Sequence, residues 1–142
     1  MVLYAKDVVE PTFLCLPPDT NALEAARLMR DKRQGYVVVV TEGKPEGIVT
    51  EWDYLSKVVA EGKETSKVVL REIMSGGPIS VSANEGIEGV ARIMTEKGVR
   101  RVLVVQQGKV VGVITSRTIL ARLEEYIDKV STTIARLQAP PP

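Results

Sequence analysis

Thr50 and Asp53 stand three residues apart, directly after the apolar run Gly47-Ile48-Val49. A strand that ends in Thr and turns straight into a helix puts two kinds of recognition at one point. The helix N-terminus offers unpaired N–H groups and a partial positive charge, which favour a phosphate. The Thr hydroxyl adds a hydrogen bond to that anion, and an Asp in the first helical turn offers acceptor oxygens for both hydroxyls of a ribose. Phosphate at one end and sugar at the other is a chemical reason for this pair at this spacing. Both residues also have a structural use, since an acid in the first turn complements the helix dipole whatever binds nearby. Trp52, the one tryptophan, lies between them and suits either a cleft wall or a packing contact.

The elements that must position this pair are written twice. Shifted by 65 residues (47 to 112, 50 to 115), the chain aligns with itself without a gap. Ala26-Arg27-Leu28-Met29 falls on Ala91-Arg92-Ile93-Met94, Val37 to Val40 on Val102 to Val105, and Gly47-Ile48-Val49-Thr50 on Gly112-Val113-Ile114-Thr115. Each copy opens with a short extended run, Phe13–Leu16 or Pro78–Val81. N-capping candidates follow, in Pro18–Asn21 and in Ser82–Glu85. Helices are expected over Ala22–Lys32 and Ile87–Lys97. Two apolar β-branched runs around a Gly-containing turn read as a hairpin: Tyr36–Val40 with Gly47–Thr50, and Arg101–Val105 with Val110–Thr115. A second helix closes each copy, about Trp52–Glu61 and from Ser116 onward. The polar stretch Glu61–Ser66 reads as an exposed join, and Lys67–Ile73 as a short helical turn. Cys15 reads as a small core residue, and Ser75-Gly76-Gly77 as a flexible entry to a strand.

The doubled unit, with Gly-apolar-apolar-Thr and an Asp three residues on, resembles the cystathionine-β-synthase (CBS) domain, whose repeats occur as tandem pairs called Bateman modules. Gly47-Ile48-Val49-Thr50-Glu51-Trp52-Asp53 matches the motif fully; Gly112-Val113-Ile114-Thr115-Ser116-Arg117-Thr118 matches except at its last position. The resemblance covers about Ala5 to Leu123. It implies an α/β fold of two β-α-β-β-α CBS repeats packed with pseudo-two-fold symmetry, plus an extended C-terminal helix. The division read from the chain is 1–62 for repeat 1, 63–66 for a linker, 67–124 for repeat 2, and 125–142 for the helix extension and a Pro tail. It implies a regulatory module, not an enzyme, that holds an adenine nucleotide (AMP foremost, also ADP or ATP) in the cleft between the repeats, with no cofactor required. The implied site joins Ile48, Thr50, Trp52 and Asp53 to partner-repeat residues Pro78 and Ile79 against the base and Arg100 and Arg101 toward the phosphates.

The copies differ where this chemistry lies. Repeat 1 has Asp53 but Gly35-Tyr36 where cations would stand; repeat 2 has Arg100-Arg101 but Thr118 in place of the carboxylate. The expectation is one competent site, and one degenerate site of Thr115, Thr118 and Gly35-Tyr36 that lacks both charges. An Arg–phosphate contact contributes about 1.5–3 kcal/mol, so losing two would leave the second site empty at ordinary concentrations. Strand alternation puts Arg100 and Arg101 on opposite faces, with one of them pointing at the cleft while the other reaches around or pairs elsewhere.

Composition bounds the alternatives. With 142 residues, one cysteine, no histidine and 19 basic against 18 acidic side chains, neither a Cys/His zinc site nor a His base is available, and bulk charge directs the chain to neither nucleic acid nor membrane. No nucleophile–base pair accompanies the motif. The N-terminus has no signal-peptide layout and no further domain is apparent, so a stand-alone cytoplasmic module is expected. Leu120, Leu123, Ile127, Val130, Ile134 and Leu137 are spaced 3-4-3-4-3, an a/d seam. It suits a subunit contact, a homodimer first, unless it packs on its own domain. Pro140-Pro141-Pro142 is expected to end the helix in disorder. Two further functions share the sequence: binding of S-adenosylmethionine or another adenosyl ligand, and ligand-independent oligomerisation. An unidentified regulated protein would be a further partner.

Overall fold

The computed structural model describes residues 3–10 and 12–138; the expectation for Pro140–Pro142 lies outside them. Helix α1 (Ala5–Val8) is followed by β1 (Cys15–Leu16), α2 (Ala22–Lys32), β2 (Tyr36–Thr41), β3 (Lys44–Thr50) and α3 (Glu51–Tyr54), which runs on as a π-turn over Leu55–Val59. A second series starts with α4 (Leu70–Ile73), β4 (Ser75–Gly76) and β5 (Ser80–Ser82), and continues with α5 (Ile87–Lys97), β6 (Arg101–Gln106), β7 (Lys109–Thr115) and α6 (Ser116–Gln138).

The expected α2 and α5 appear with the expected bounds. The Asn21 side chain accepts the N–H groups of Leu23 and Glu24 and so caps α2. At α5 the cap is Gly86, without a side-chain bond. Ser82 Oγ accepts the Asn84 N–H instead, so the oxygens read as a cap there shape the preceding turn. In each repeat a parallel strand joins an antiparallel hairpin, and both hairpins carry a bulge at the same place, Val39/Val40 and Val104/Val105.

Ser75-Gly76, expected to be a flexible entry, is strand β4, antiparallel to β3 at Gly47 and Ile48. The pseudo-symmetric segment makes the same crossing, with Glu10 bridging Val113 of β7. This explains the glycine in each motif. A Cβ on Gly47 would lie 2.7 Å from the Ser75 carbonyl oxygen, and one on Gly112 would lie 1.9 Å from Val9 Cγ2 and 3.0 Å from the Glu10 carbonyl oxygen. The crossing backbone needs the missing side chain.

The crossings also exchange helices. Leu70 and Ile73 of α4 pack into the repeat 1 core with Ala22, Ala25, Val37, Val39, Val49 and Val58. Ala5 and Val8 of α1 pack into the repeat 2 core with Val81, Val90, Val102, Val104 and Ile114. Between the sheets lies a third cluster, Tyr36, Val38, Leu103 and Val113, drawn from both repeats. Neither repeat closes its core without a segment that precedes the other in sequence.

Cys15 is exposed, not a core residue, because β1 is a two-residue edge strand whose other neighbour is solvent. The α6 seam is exposed throughout, from 37% at Leu123 to 81% at Leu137, so it is not packed on its own domain. Among the described residues no helix is long and apolar enough to cross a membrane.

Candidate functional site

The two crossings leave a cleft on each side of the central cluster. The first, of about 720 Å³, is walled by Ile48, Thr50 and Trp52 from the end of β3 and the start of α3. Pro78, Ile79, Arg100 and Arg101 of repeat 2 face them. The sequence placed these seven residues together, and they line one space. Its floor is completed by Ser75-Gly76-Gly77 and Gly98-Val99, which sequence reasoning did not assign to a site. Glycines and a backbone crossing carry no chemical signature; only the pairing of β4 with β3 puts them there.

Asp53 is not in the lining. Its side chain is 6% exposed and turned into its own helix. Oδ2 accepts the Thr50 N–H at 2.8 Å and the Thr50 hydroxyl at 3.2 Å, while Oδ1 pairs with Lys57 Nζ at 3.0 Å. Lys57 also donates to the Ile73 carbonyl, tying α3 to α4. The helix-capping use of Asp53 is therefore realised in full: three polar partners compensate a carboxylate that burial alone would penalise.

The second cleft, of about 680 Å³, is the pseudo-symmetric counterpart, with Thr115, Ser116 and Arg117 opposite Gln34, Gly35 and Tyr36. Here the structure corrects the sequence reading. The expected degenerate site was to lack cations, yet Lys32, Arg33, Arg100, Arg101 and Arg117 all line it, with Glu10 the one acid. The paired arginines, of which one was expected to point at the cleft and the other to reach elsewhere, border both clefts, and Arg101 turns toward the second. Arg101 opens β6 and Arg100 immediately precedes the strand, where the two clefts approach each other. Arg101 lies over the Tyr36 ring, 4.8 Å from its centroid, a cation–π contact across the pseudo-two-fold. Burial pushes the Tyr36 hydroxyl pKa up, Glu10 adds to the rise, and Arg101 opposes it. The Tyr36 hydroxyl is buried without a hydrogen-bond partner.

Thr118 stands where repeat 1 has Asp53, and its hydrogen bonds are local. Thr118 Oγ1 accepts the Thr115 N–H at 2.9 Å and donates to the Thr115 carbonyl at 2.8 Å, while its own N–H reaches Thr115 Oγ1 at 3.1 Å. Two neutral hydroxyls close the turn that Asp53 closes with charge.

The family model of the CBS domain matches residues 5–60 and 70–125. The chain belongs to the CBS-domain family. This CBS pair is 38% identical over 112 residues to an uncharacterised protein of Methanopyrus kandleri, covering 78% of this chain but 57% of that one, so it spans little more than half of that relative's length. It is 28% identical to the CBS domain-containing protein YhcV of Bacillus subtilis, with 77% of each chain covered. Among solved structures it resembles the CBS domain pair of protein MJ0100, determined in complex with 5′-methylthioadenosine and S-adenosyl-L-methionine (26% identity, TM-score 0.76, covering 89% of this chain and 99% of that one).

Proposed function

We propose that this CBS pair is a regulatory module that binds an adenine nucleotide in the first cleft, AMP foremost and ADP or ATP by the same contacts. The observation that carries the reading is the meeting of Ile48, Thr50 and Trp52 with Pro78, Ile79, Arg100 and Arg101 across one space. The base packs between Ile48 and the Pro78-Ile79 segment, and the phosphate lies toward Arg100 and Arg101. Asp53 takes a ribose hydroxyl through Oδ1, whose one protein contact is Lys57. Lys57 is 41% exposed and can swing to solvent as the sugar arrives. A carboxylate has about four acceptor positions, and three are in use.

A specific observation favours a second reading. Arg101 is drawn over Tyr36, toward the second cleft, and the rest of the first cleft is largely apolar. A ligand with an adenosyl group and no phosphate fits such a wall, and the MJ0100 pair holds two of that kind. Isothermal titration with AMP, ATP and S-adenosylmethionine separates the readings. No heat and no thermal shift at millimolar concentrations of any of the three would end both. For Arg101→Ala, a nucleotide should bind about tenfold less tightly, as expected when one charge-assisted hydrogen bond is removed, while an uncharged-tail adenosyl ligand keeps its affinity.

The module is further proposed to work as a homodimer through the exposed seam of α6, in the cytoplasm, and to act on a protein partner by a ligand-dependent change in geometry. The ligand-independent alternative, a pure oligomerisation module, is told apart by sedimentation. The intact chain should then sediment as the same oligomer with and without nucleotide, and truncation after Leu123 should dissociate it.

A further inference from the structure

We infer that the second cleft is a binding site for a multiply charged phosphate chain, recognised without a nucleoside. The inference goes beyond the proposed function, and only a nucleotide tail as the source of the phosphates rests on that reading.

Five cations line this cleft, and among the described residues none of them forms an ion pair. Like charges gathered in one partly enclosed space repel, and a protein keeps them there at a cost unless an anion answers them. Glu10 offsets one of the five. Two of the cations also sit where local rules oppose them. Arg33 is the C-cap of α2 with φ 52°, in the left-handed region; its repeat 2 counterpart, Gly98, holds the same geometry at φ 65° without a side chain. A non-glycine residue in that conformation is disfavoured. Arg117 is the second residue of α6, at the positive end of the helix dipole, where an acid is preferred. Its counterpart in repeat 1 is Trp52. Both exceptions are absent from the other repeat, and both face the same cleft. Local conflicts that converge on one space mark a functional site.

The chemistry of the ligand follows from what the cleft offers and what it withholds. It has a surplus of donors and positive charge. At the turn where a ribose acceptor would stand, Thr118 is occupied with Thr115. Phe13 and Leu14, the counterparts of the Pro78 and Ile79 that wall the first cleft, pack into the protein's core clusters and do not line this one. The Tyr36 hydroxyl, buried and unpartnered in this wall, is a spare donor. A chain of phosphates satisfies this set, and a nucleoside does not. Because Arg100 and Arg101 line both clefts, the chain can be a free polyphosphate or the tail of a nucleotide seated in the first cleft.

Isothermal titration of the intact protein with inorganic tripolyphosphate at low ionic strength tests the inference. Binding is expected, weakening as salt is raised, and about tenfold weaker in Arg33→Gly and in Arg117→Ala. Arg33→Gly restores the residue that repeat 2 uses at this position, so folding is not at issue, and circular dichroism verifies it for both variants. Lys63→Ala, remote from the cleft, and Asp53→Asn should leave tripolyphosphate binding unchanged, which separates this site from the nucleotide site. Competition by ATP but not adenosine identifies a nucleotide tail; simultaneous binding of ATP and tripolyphosphate identifies a free anion. The inference falls if tripolyphosphate fails to bind at millimolar concentration, or if Lys63→Ala weakens it as much as Arg33→Gly does.

Discussion

The turns at Thr50–Asp53 and Thr115–Thr118 are two copies of one backbone with different chemistry inside. In the first, a carboxylate accepts from Thr50 twice and reaches a cation four residues on, Lys57. In the second, a hydroxyl takes the same N–H, and the cation at the equivalent place, Arg122, turns away to Glu125. Both solutions close the helix start. The comparison teaches that the motif's acid is not required to build this turn, so its presence in one copy alone is a matter of what the turn contacts. The clefts beside the two turns diverge likewise: the carboxylate adjoins a wall with two cations and apolar residues, and the hydroxyl adjoins a wall with five cations.

The comparison breaks most severely at the crossings. Gly112→Ala and Gly47→Ala each drive a methyl group into a neighbouring segment, and overpacking of this kind costs about 1–3 kcal/mol. Thermal unfolding should show the larger loss for Gly47→Ala, where the Ser75 backbone oxygen lies 2.7 Å from the added carbon; at Gly112 the nearest atom, Val9 Cγ2, belongs to a side chain that can rotate away, and the nearest backbone atom, the Glu10 oxygen, is at 3.0 Å. A larger loss at Gly112 would mean that the Val9 side chain is held too firmly to move aside.

The turns can next be exchanged. Asp53→Asn keeps an acceptor oxygen for the Thr50 N–H but removes the charge; AMP affinity is expected to fall about tenfold, the effect of removing one charge-assisted hydrogen bond. Thr118→Asp places a carboxylate four residues before Arg122, a pairing that contributes about 0.3–0.5 kcal/mol on a helix. It should leave the melting temperature nearly unchanged while raising AMP stoichiometry from one toward two per chain by calorimetry. A stoichiometry that stays at one would show that the second cleft excludes a nucleoside by shape.

Arg33→Gly should stabilise the ligand-free protein by about 1 kcal/mol, by relieving the left-handed arginine, and Gly98→Arg should destabilise it by a similar amount. Opposite shifts in urea midpoint are the readout; shifts of equal sign would mean that the cap geometry costs nothing.

The smallest effect concerns Tyr54, which has no phenol counterpart in repeat 2, where Ile119 stands. Burial pushes its pKa up to about 12, and its hydroxyl donates to the Ala22 carbonyl at 2.7 Å. The folded value lies above the unfolded one of about 10. This contribution to stability is therefore complete below about pH 10 and fades as pH rises toward about 12. Tyr54→Phe should flatten that part of the stability–pH curve.

The repeat, the hairpins, α2, α5 and seven of the eight expected cleft residues were legible in the sequence. Each rests on local information: apolar periodicity, turn residues and a motif read against its own second copy. Asp53 was legible as a residue but not in its orientation, since the same spacing serves a cap and a ligand. Cys15 was misread because small apolar character does not reveal that its strand is only two residues long and lies at an edge.

What the sequence by itself determined is the doubled α/β unit and the asymmetry at positions 53 and 118, because identity at a position needs no folding to be read. Only the tertiary structure decided that Leu70 and Ile73 complete the core of repeat 1, that Gly47 and Gly112 make room for a crossing backbone, and that Lys32, Arg33 and Arg117 join Arg100 and Arg101 around one space. These residues are far apart along the chain. Their charges act through distance in space, which is fixed once the exchanged segments lock the two sheets together.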